Sequence, residues 1–133
     1  MIKHKVKFVV GDACNLDSSL GKYNLIFGGN LIDRLPEPVK FLNEVGSFME
    51  PNGILILTSP YSWLEEFTPK EKWVGGYLEN GKAVTTNEGL TNILGKSGFE
   101  ELKSSEDLRF SIKENDWVFQ YTLAWATFWR KKA

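Results

Sequence analysis

Cysteine and histidine each occur once, as Cys14 and His4. A single cysteine excludes an intrachain disulfide and points to a reducing, cytoplasmic setting. With one of each, a structural zinc site and a Ser-His-Asp triad both lack their parts, so no metal is expected. Charge of one sign is also missing. Sixteen basic residues nearly cancel seventeen acidic ones, without a long run of either. That argues against a nucleic-acid footprint. No apolar run approaches the ~18 residues of a membrane span, and no signal peptide opens the chain. No internal repeat, low-complexity tract or linker appears. The sequence also lacks a G-x-G-x-x-G loop leading from a strand into a helix, since "GDAC" and "FGGN" do not have that spacing.

What is present suits one domain, residues 1–133. The chain is 42% hydrophobic and 25% charged, enough for a core and ordinary for a globular protein. "KVKFVV", residues 5–10, predicts a short strand, and "YNLIFGG", 23–29, a second. Residues 37–50 have helical spacing at Val39, Leu42, Val45 and Met49, with Pro38 in the first turn and Pro51 beyond the end. "GILILTSP", 53–60, is apolar without alternation, as in a strand buried on both faces of a parallel sheet. Thr85 and Glu88 have capping-box spacing before a helical face of Leu90, Ile93 and Leu94, and Gly98 can end that helix. "FEELKSSEDLRFSIKEND" reads as a strand and a loop. "WVFQYTLAWATFWR" alternates, with Phe119, Tyr121, Leu123, Trp125 and Trp129 on one side. The order is that of an α/β fold with a parallel core and an antiparallel last strand.

The segment "SPYSWLEEFTPKEKWVGG", Ser59 to Gly76, carries Tyr61, Trp63, Phe67 and Trp73 between prolines, glycines and charges. It reads as a loop. Its rings form either a satellite core or a lid over a small-molecule site, with Gly75 and Gly76 as a hinge.

In open α/β sheets ligands bind beyond the carboxyl ends of the strands. Three segments then meet at one edge: "GDAC", "GGNLIDRL" and "SPYSW". Asp12 and the backbone of Ala13 could meet an adenine, or form a Gly-Asp turn. Gly28 and Gly29 allow close backbone approach, and Asn30 offers a donor and an acceptor. Asp33 and Arg34 could pair at a helix start. Tyr61 and Trp63 could wall a pocket.

Together "VVGDACNL", the run from Tyr23 to Tyr61 and the aromatic loop resemble the later half of a class I S-adenosylmethionine-dependent methyltransferase. "NLIDRL", "SPYSWLEEFTPKEKWVGGY" and "FQYTLAWATFWRKK" resemble more narrowly the methyltransferase domain of ovothiol biosynthesis. The resemblance implies a Rossmann-like fold lacking its first βαβ unit. It implies S-adenosylmethionine as cofactor, met by Asp12, Ala13, Asn30 and Leu31. The implied acceptor is a small sulfur-bearing imidazole such as mercaptohistidine, stacked by Tyr61, Trp63 and Trp73. Asp33, Tyr61 and Glu65 are its candidate catalytic groups. The alternative is a catalytically empty α/β interaction module. A flavodoxin-like nucleotide binder is a third reading, weakened by the missing phosphate loop. In the complete fold two strands would separate residues 5–10 from 23–29. Either "KVKFVV" moves in beside "YNLIFGG", or a second copy completes the sheet as a homodimer, and the homodimer is the favoured expectation; a missing amino-terminal half is the other partner the resemblance implies.

Overall fold

A computed structural model describes residues 5–133. Its strands are β1 (Tyr23–Gly29), β2 (Met49–Ser59), β3 (Tyr77–Glu79), β4 (Lys82–Val84), β5 (Phe99–Lys113) and β6 (Phe119–Lys131). Two α-helices, α1 (Pro38–Glu44) and α2 (Thr86–Lys96), join them. The main sheet runs β1-β2-β6-β5, and β3-β4 is a separate hairpin. β1 pairs β2 in parallel, and the long β5–β6 ribbon closes on β2 antiparallel. The expected α/β class with an antiparallel last strand therefore holds.

The register decides what each face of the sheet does. Ile26 lies beside Leu55 and Gly28 beside Leu57, and these continue across to Trp129 and Thr127. Leu55, Leu57, Thr127 and Trp129 are buried, in a core shared with Leu42 and Val45 from the α1 side and Leu90 and Leu94 from α2. Burying each such aliphatic side chain is worth ~1.5–3 kcal/mol. On the opposite face Leu25 and Phe27 of β1 are exposed, beside half-buried Ile54 and Ile56. No helix of the described residues covers them as α1 and α2 cover the first face.

Local chemistry explains the helices. Pro38 opens α1, where its missing N–H costs nothing. The helix expected over 37–50 is α-helical only to Glu44, then tightens to a 3-10 turn through Phe48. The Thr85–Glu88 capping box forms in full: the Glu88 amide donates to the Thr85 hydroxyl, and the Thr85 amide donates to the Glu88 carboxylate at 2.8 Å. The β3–β4 hairpin was not expected. Its signal was Asn80-Gly81, both at positive φ (51° and 78°), the pair a two-residue primed turn requires.

Residues 5–10 overturn the strand expected there. They carry no strand, and Val6, Phe8, Val9 and Val10 are exposed. A strand needs a hydrogen-bonding neighbour, and the described residues offer this segment none. The repair in which it moves in beside β1 does not occur, so among the described residues β1 ends the sheet.

Gly89 sets the seat of α2. A β-carbon there would lie 1.8 Å from the Val74 carbonyl oxygen. Alanine is the better helix former by ~1 kcal/mol, yet Gly89→Ala should destabilise the fold by ~1–3 kcal/mol through overpacking. Urea unfolding checks this, and a variant as stable as wild type contradicts the packing.

Candidate active site at the strand carboxyl ends

Parallel pairing brings the ends of β1 and β2 side by side, with Gly29 opposite Thr58. The chain leaves both strands in left-handed turns made by residues other than glycine, Asn30 (φ 49°) and Tyr61 (φ 54°). Such conformations cost energy and collect at functional sites. Each is held by its strand end. The Asn30 amide donates to the Thr58 carbonyl at 2.8 Å and to its hydroxyl at 3.1 Å. The Tyr61 amide donates to the Ser59 hydroxyl at 3.0 Å.

Asp33 ties the two turns together. It is 1% exposed. Its Oδ2 accepts from the Ser62 amide, the Ser62 hydroxyl and Arg34 Nη1, each at 3.1 Å. Arg34 reaches the same loop, donating to the Ser62 carbonyl at 2.8 Å and lying 5.0 Å from the centre of the Phe67 ring. The second carboxylate oxygen, Oδ1, is buried without a partner. Sequence reading took Asp33 and Arg34 as a local pair. They are that, and they also bridge the loops after β1 and β2.

Beside this tie lies a cavity of about 190 Å³, lined by Asn30, Asp33, Pro60 and Ser62 on one side and by Phe110, Ile112, Gln120 and Thr122 of the β5–β6 ribbon on the other. The ribbon residues were missed as site candidates. Their signal was the alternation that set them on one face of β5 and β6. A larger groove of about 760 Å³ runs between α2 and the β3–β4 hairpin, and none of the strand-end residues Asn30, Asp33, Tyr61 or Ser62 lines it.

The aromatic loop is mostly a satellite core. Trp63 is 8% exposed, and its Nε1 donates to the Thr86 hydroxyl at 3.0 Å. Trp73 stacks on it at 6.4 Å and donates to the Thr68 carbonyl at 2.9 Å. The cleft position expected of Trp63 does not hold, because the side chain is buried, stacks on Trp73 and spends its N–H on the start of α2. Trp73 is half-buried and borders the α2 groove instead. Nor is Gly75 a free hinge. It is buried, and a β-carbon there would meet the Thr86 amide nitrogen at 2.3 Å. Gly76 keeps the positive φ (80°) and donates to the Val84 carbonyl.

Tyr61 is half-buried between these regions, and its hydroxyl donates to Asn87 Oδ1 at 2.6 Å. Burial, then the negative charges of Glu101 and Asp33, push its phenol well above the ordinary tyrosine range. Tyr61 therefore stays neutral and acts as a donor rather than a base. Glu65 is exposed on the turn after Trp63, and no hydrogen bond joins it to Asp33 or Tyr61. Asp12 closes the turn that was its plainer reading: its Oδ1 accepts from the Cys14 amide at 2.9 Å, and its carbonyl accepts from Asn15. Buried Cys14 anchors that turn, its Sγ 3.6 Å from the Glu37 carbonyl. Ala13 and Leu31 pack against the core. Among the described residues no cluster of His, Cys, Asp and Glu is arranged to hold a metal, and no helix is long and apolar enough to cross a membrane.

This geometry can be compared with known proteins. A family model described as a methyltransferase domain matches residues 2–114. The chain belongs to this methyltransferase family. A SAM-dependent methyltransferase from Methanosarcina mazei superposes with a TM-score of 0.63 at 17% identity, over 96% of this chain and 68% of its own. A Thermotoga maritima protein, described as a SAM-dependent methyltransferase and possible histamine N-methyltransferase, gives 0.57 at 22% identity, over 94% and 64%. The N-methyltransferase NodS from Bradyrhizobium japonicum, solved with S-adenosylhomocysteine, gives 0.54 at 13%, over 94% and 54%. The fold is that of class I methyltransferases, whose methyl donor is S-adenosylmethionine.

The residues present fit part of that cofactor's needs. Asn30 and Asp12 are exposed to meet it, although Asp12 Oδ1 accepts from the Cys14 amide and Asn30 Oδ1 accepts from the Thr58 hydroxyl at 3.4 Å. A glycine-rich cradle for its methionine end is not among these 133 residues.

Asp33→Ala removes the acceptor for the Ser62 amide, the Ser62 hydroxyl and Arg34. Losing these three part-buried hydrogen bonds costs ~1–3 kcal/mol. The variant should lose that much in urea unfolding and show faster amide exchange at Ser62 than at Leu57. Unchanged exchange at Ser62 would contradict the tie.

Proposed function

We propose that this domain takes part in S-adenosylmethionine-dependent methylation of a ring nitrogen on a small sulfur-bearing imidazole of the mercaptohistidine type, with the acceptor in the strand-end cavity. The observation that carries this is the pairing of that cavity with Asp33, whose one carboxylate oxygen is fully used and whose other has no partner. One protein of this fold described as an N-methyltransferase, and another described as a possible histamine N-methyltransferase, are consistent with it. So is the likeness of the aromatic loop to the ovothiol methyltransferase domain.

When bound, S-adenosylmethionine supplies a sulfonium methyl for in-line displacement. The chain's own residues have to place the acceptor and exclude water, since positioning is the main contribution to such a transfer. Phe110 and Ile112 give the ring an apolar wall, and Gln120 and Thr122 give it polar partners. Asp33 Oδ1 takes the acceptor N–H once the Ser62 turn shifts enough to open it, and the carboxylate then holds the proton that the ring nitrogen sheds. Tyr61, neutral and fixed to Asn87, orients the loop from the other side. Asp12, Ala13, Asn30 and Leu31 border the cofactor. Trp63 and Trp73 support the acceptor loop from beneath, and Glu65 lies at its exposed rim. The second reading, an interaction module without catalysis, draws on the bare sheet face.

Incubating the full chain at high concentration with S-adenosylmethionine and a mercaptoimidazole tests the proposal. Mass spectrometry and proton spectra should show slow formation of a ring-N-methyl product, slower still with Asp33→Asn. A product methylated only on sulfur, or none while cofactor binding is detected, would overturn it.

A further inference from the structure

We propose that the groove between α2 and the β3–β4 hairpin is a second ligand site, for a small organic cation with an apolar body and one ammonium group. Its volume of about 760 Å³ falls within the range of ~300–1,000 Å³ usual for small-molecule sites. It shares no lining residue with the strand-end cavity, so the proposal does not rest on the methyltransferase reading.

Three observations carry it. First, the groove has an aromatic corner. Trp73 and Tyr77 both line it, and Val74, Val84 and Ile93 add apolar surface. The faces of such rings attract cations. Second, the charge around it is of the complementary sign and is largely unspent. Glu71, Glu79 and Glu88 line it against the single ammonium of Lys82. Glu88 is engaged: the Thr85 amide and hydroxyl hold its carboxylate below the ordinary range, and Lys82 adds to this. Glu71 and Glu79 take part in none of the ion pairs among the described residues. Third, a cation already sits at this corner. Lys70 Nζ lies 5.8 Å from the centre of the Trp73 ring. Lys70, Glu71, Trp73 and Tyr77 together line an adjoining hollow of about 480 Å³. The chain's own ammonium thus shows what the ring face attracts. Lys70 is exposed on a short 3-10 turn, so a free cation can displace it.

The same features exclude other ligands. An anion would face Glu71 and Glu79. A bare metal ion would find no cluster of His, Cys, Asp and Glu among the described residues. Carboxylates exposed to water hold a lone charge only weakly. The ligand that suits this groove therefore also buries carbon against the rings.

The test titrates the full chain at pH 7 with phenethylammonium and with 2-phenylethanol, a neutral compound of the same carbon skeleton. Amide and indole shifts report where each binds. Phenethylammonium should give saturable shifts at the Trp73 indole, Tyr77 and Val84, while Asn30 and Ser62 stay still. It should bind at least about fivefold more tightly than the alcohol. Glu71→Gln combined with Glu79→Gln should abolish most of that difference, and Lys70→Ala, which frees the ring, should enlarge it. All three residues are exposed, so these variants should keep the fold, which urea unfolding checks. Trp73 is left in place because it stacks on Trp63. Equal binding of the two compounds would overturn the proposal, and so would the absence of saturable shifts. Shifts centred on Asn30 and Ser62 would overturn it in favour of the strand-end cavity. Tighter binding of a short lysine-rich peptide than of phenethylammonium would overturn it in favour of a basic polypeptide partner.

Discussion

The parallel pairing of β1 with β2 is the constraint on which the site depends. It brings two strand ends together, and the turns at Asn30 and Tyr61 and the Asp33–Ser62 tie are built on those ends. Antiparallel pairing would place one strand's end against the other's start and separate the two turns. The left-handed turns at Asn30 and Tyr61 store strain there, and Thr58 and Ser59 hold them with backbone and hydroxyl bonds. Asp33 then links the turns across the gap by accepting from both groups of Ser62. A buried carboxylate without such donors would be costly, so the tie and the burial of Asp33 require each other.

The packing behind the site follows from the same register. The face shared by Leu55, Leu57 and Trp129 receives α1 and α2, with Gly89 letting the second helix approach Val74 closely. Trp63 and Trp73 extend this core under the aromatic loop. The loop is therefore held from below by packing and at its start by Asp33 and Arg34.

Much of this was legible in the sequence where local chemistry decides. Thr85 and Glu88 announced a capping box, Pro38 a helix start, and the alternation from Phe119 to Trp129 a strand, although Phe119, Tyr121 and Leu123 on the expected side are exposed while Ala124 and Ala126 from the other are buried. The class I methyltransferase family was legible from motifs spread across the chain. Residues 5–10 misled because strand composition does not supply a partner, and pairing is a tertiary fact. Trp63 misled because a tryptophan between prolines and charges reads the same whether it lines a cleft or fills a satellite core. Thr86, distant in sequence, settled it by accepting its N–H. Phe110, Ile112, Gln120 and Thr122 were invisible as a site because they come from the ribbon and reach the cavity only through sheet order.

Chemical-shift mapping of the full chain with S-adenosylhomocysteine tests most directly the claim that the strand ends form the cofactor edge. The largest shifts should fall on Asp12–Cys14, Asn30–Leu31 and Tyr61–Ser62, in fast exchange, because the glycine-rich cradle is not among these residues. Shifts confined to α2 and the β3–β4 hairpin, with the strand ends silent, would contradict the account.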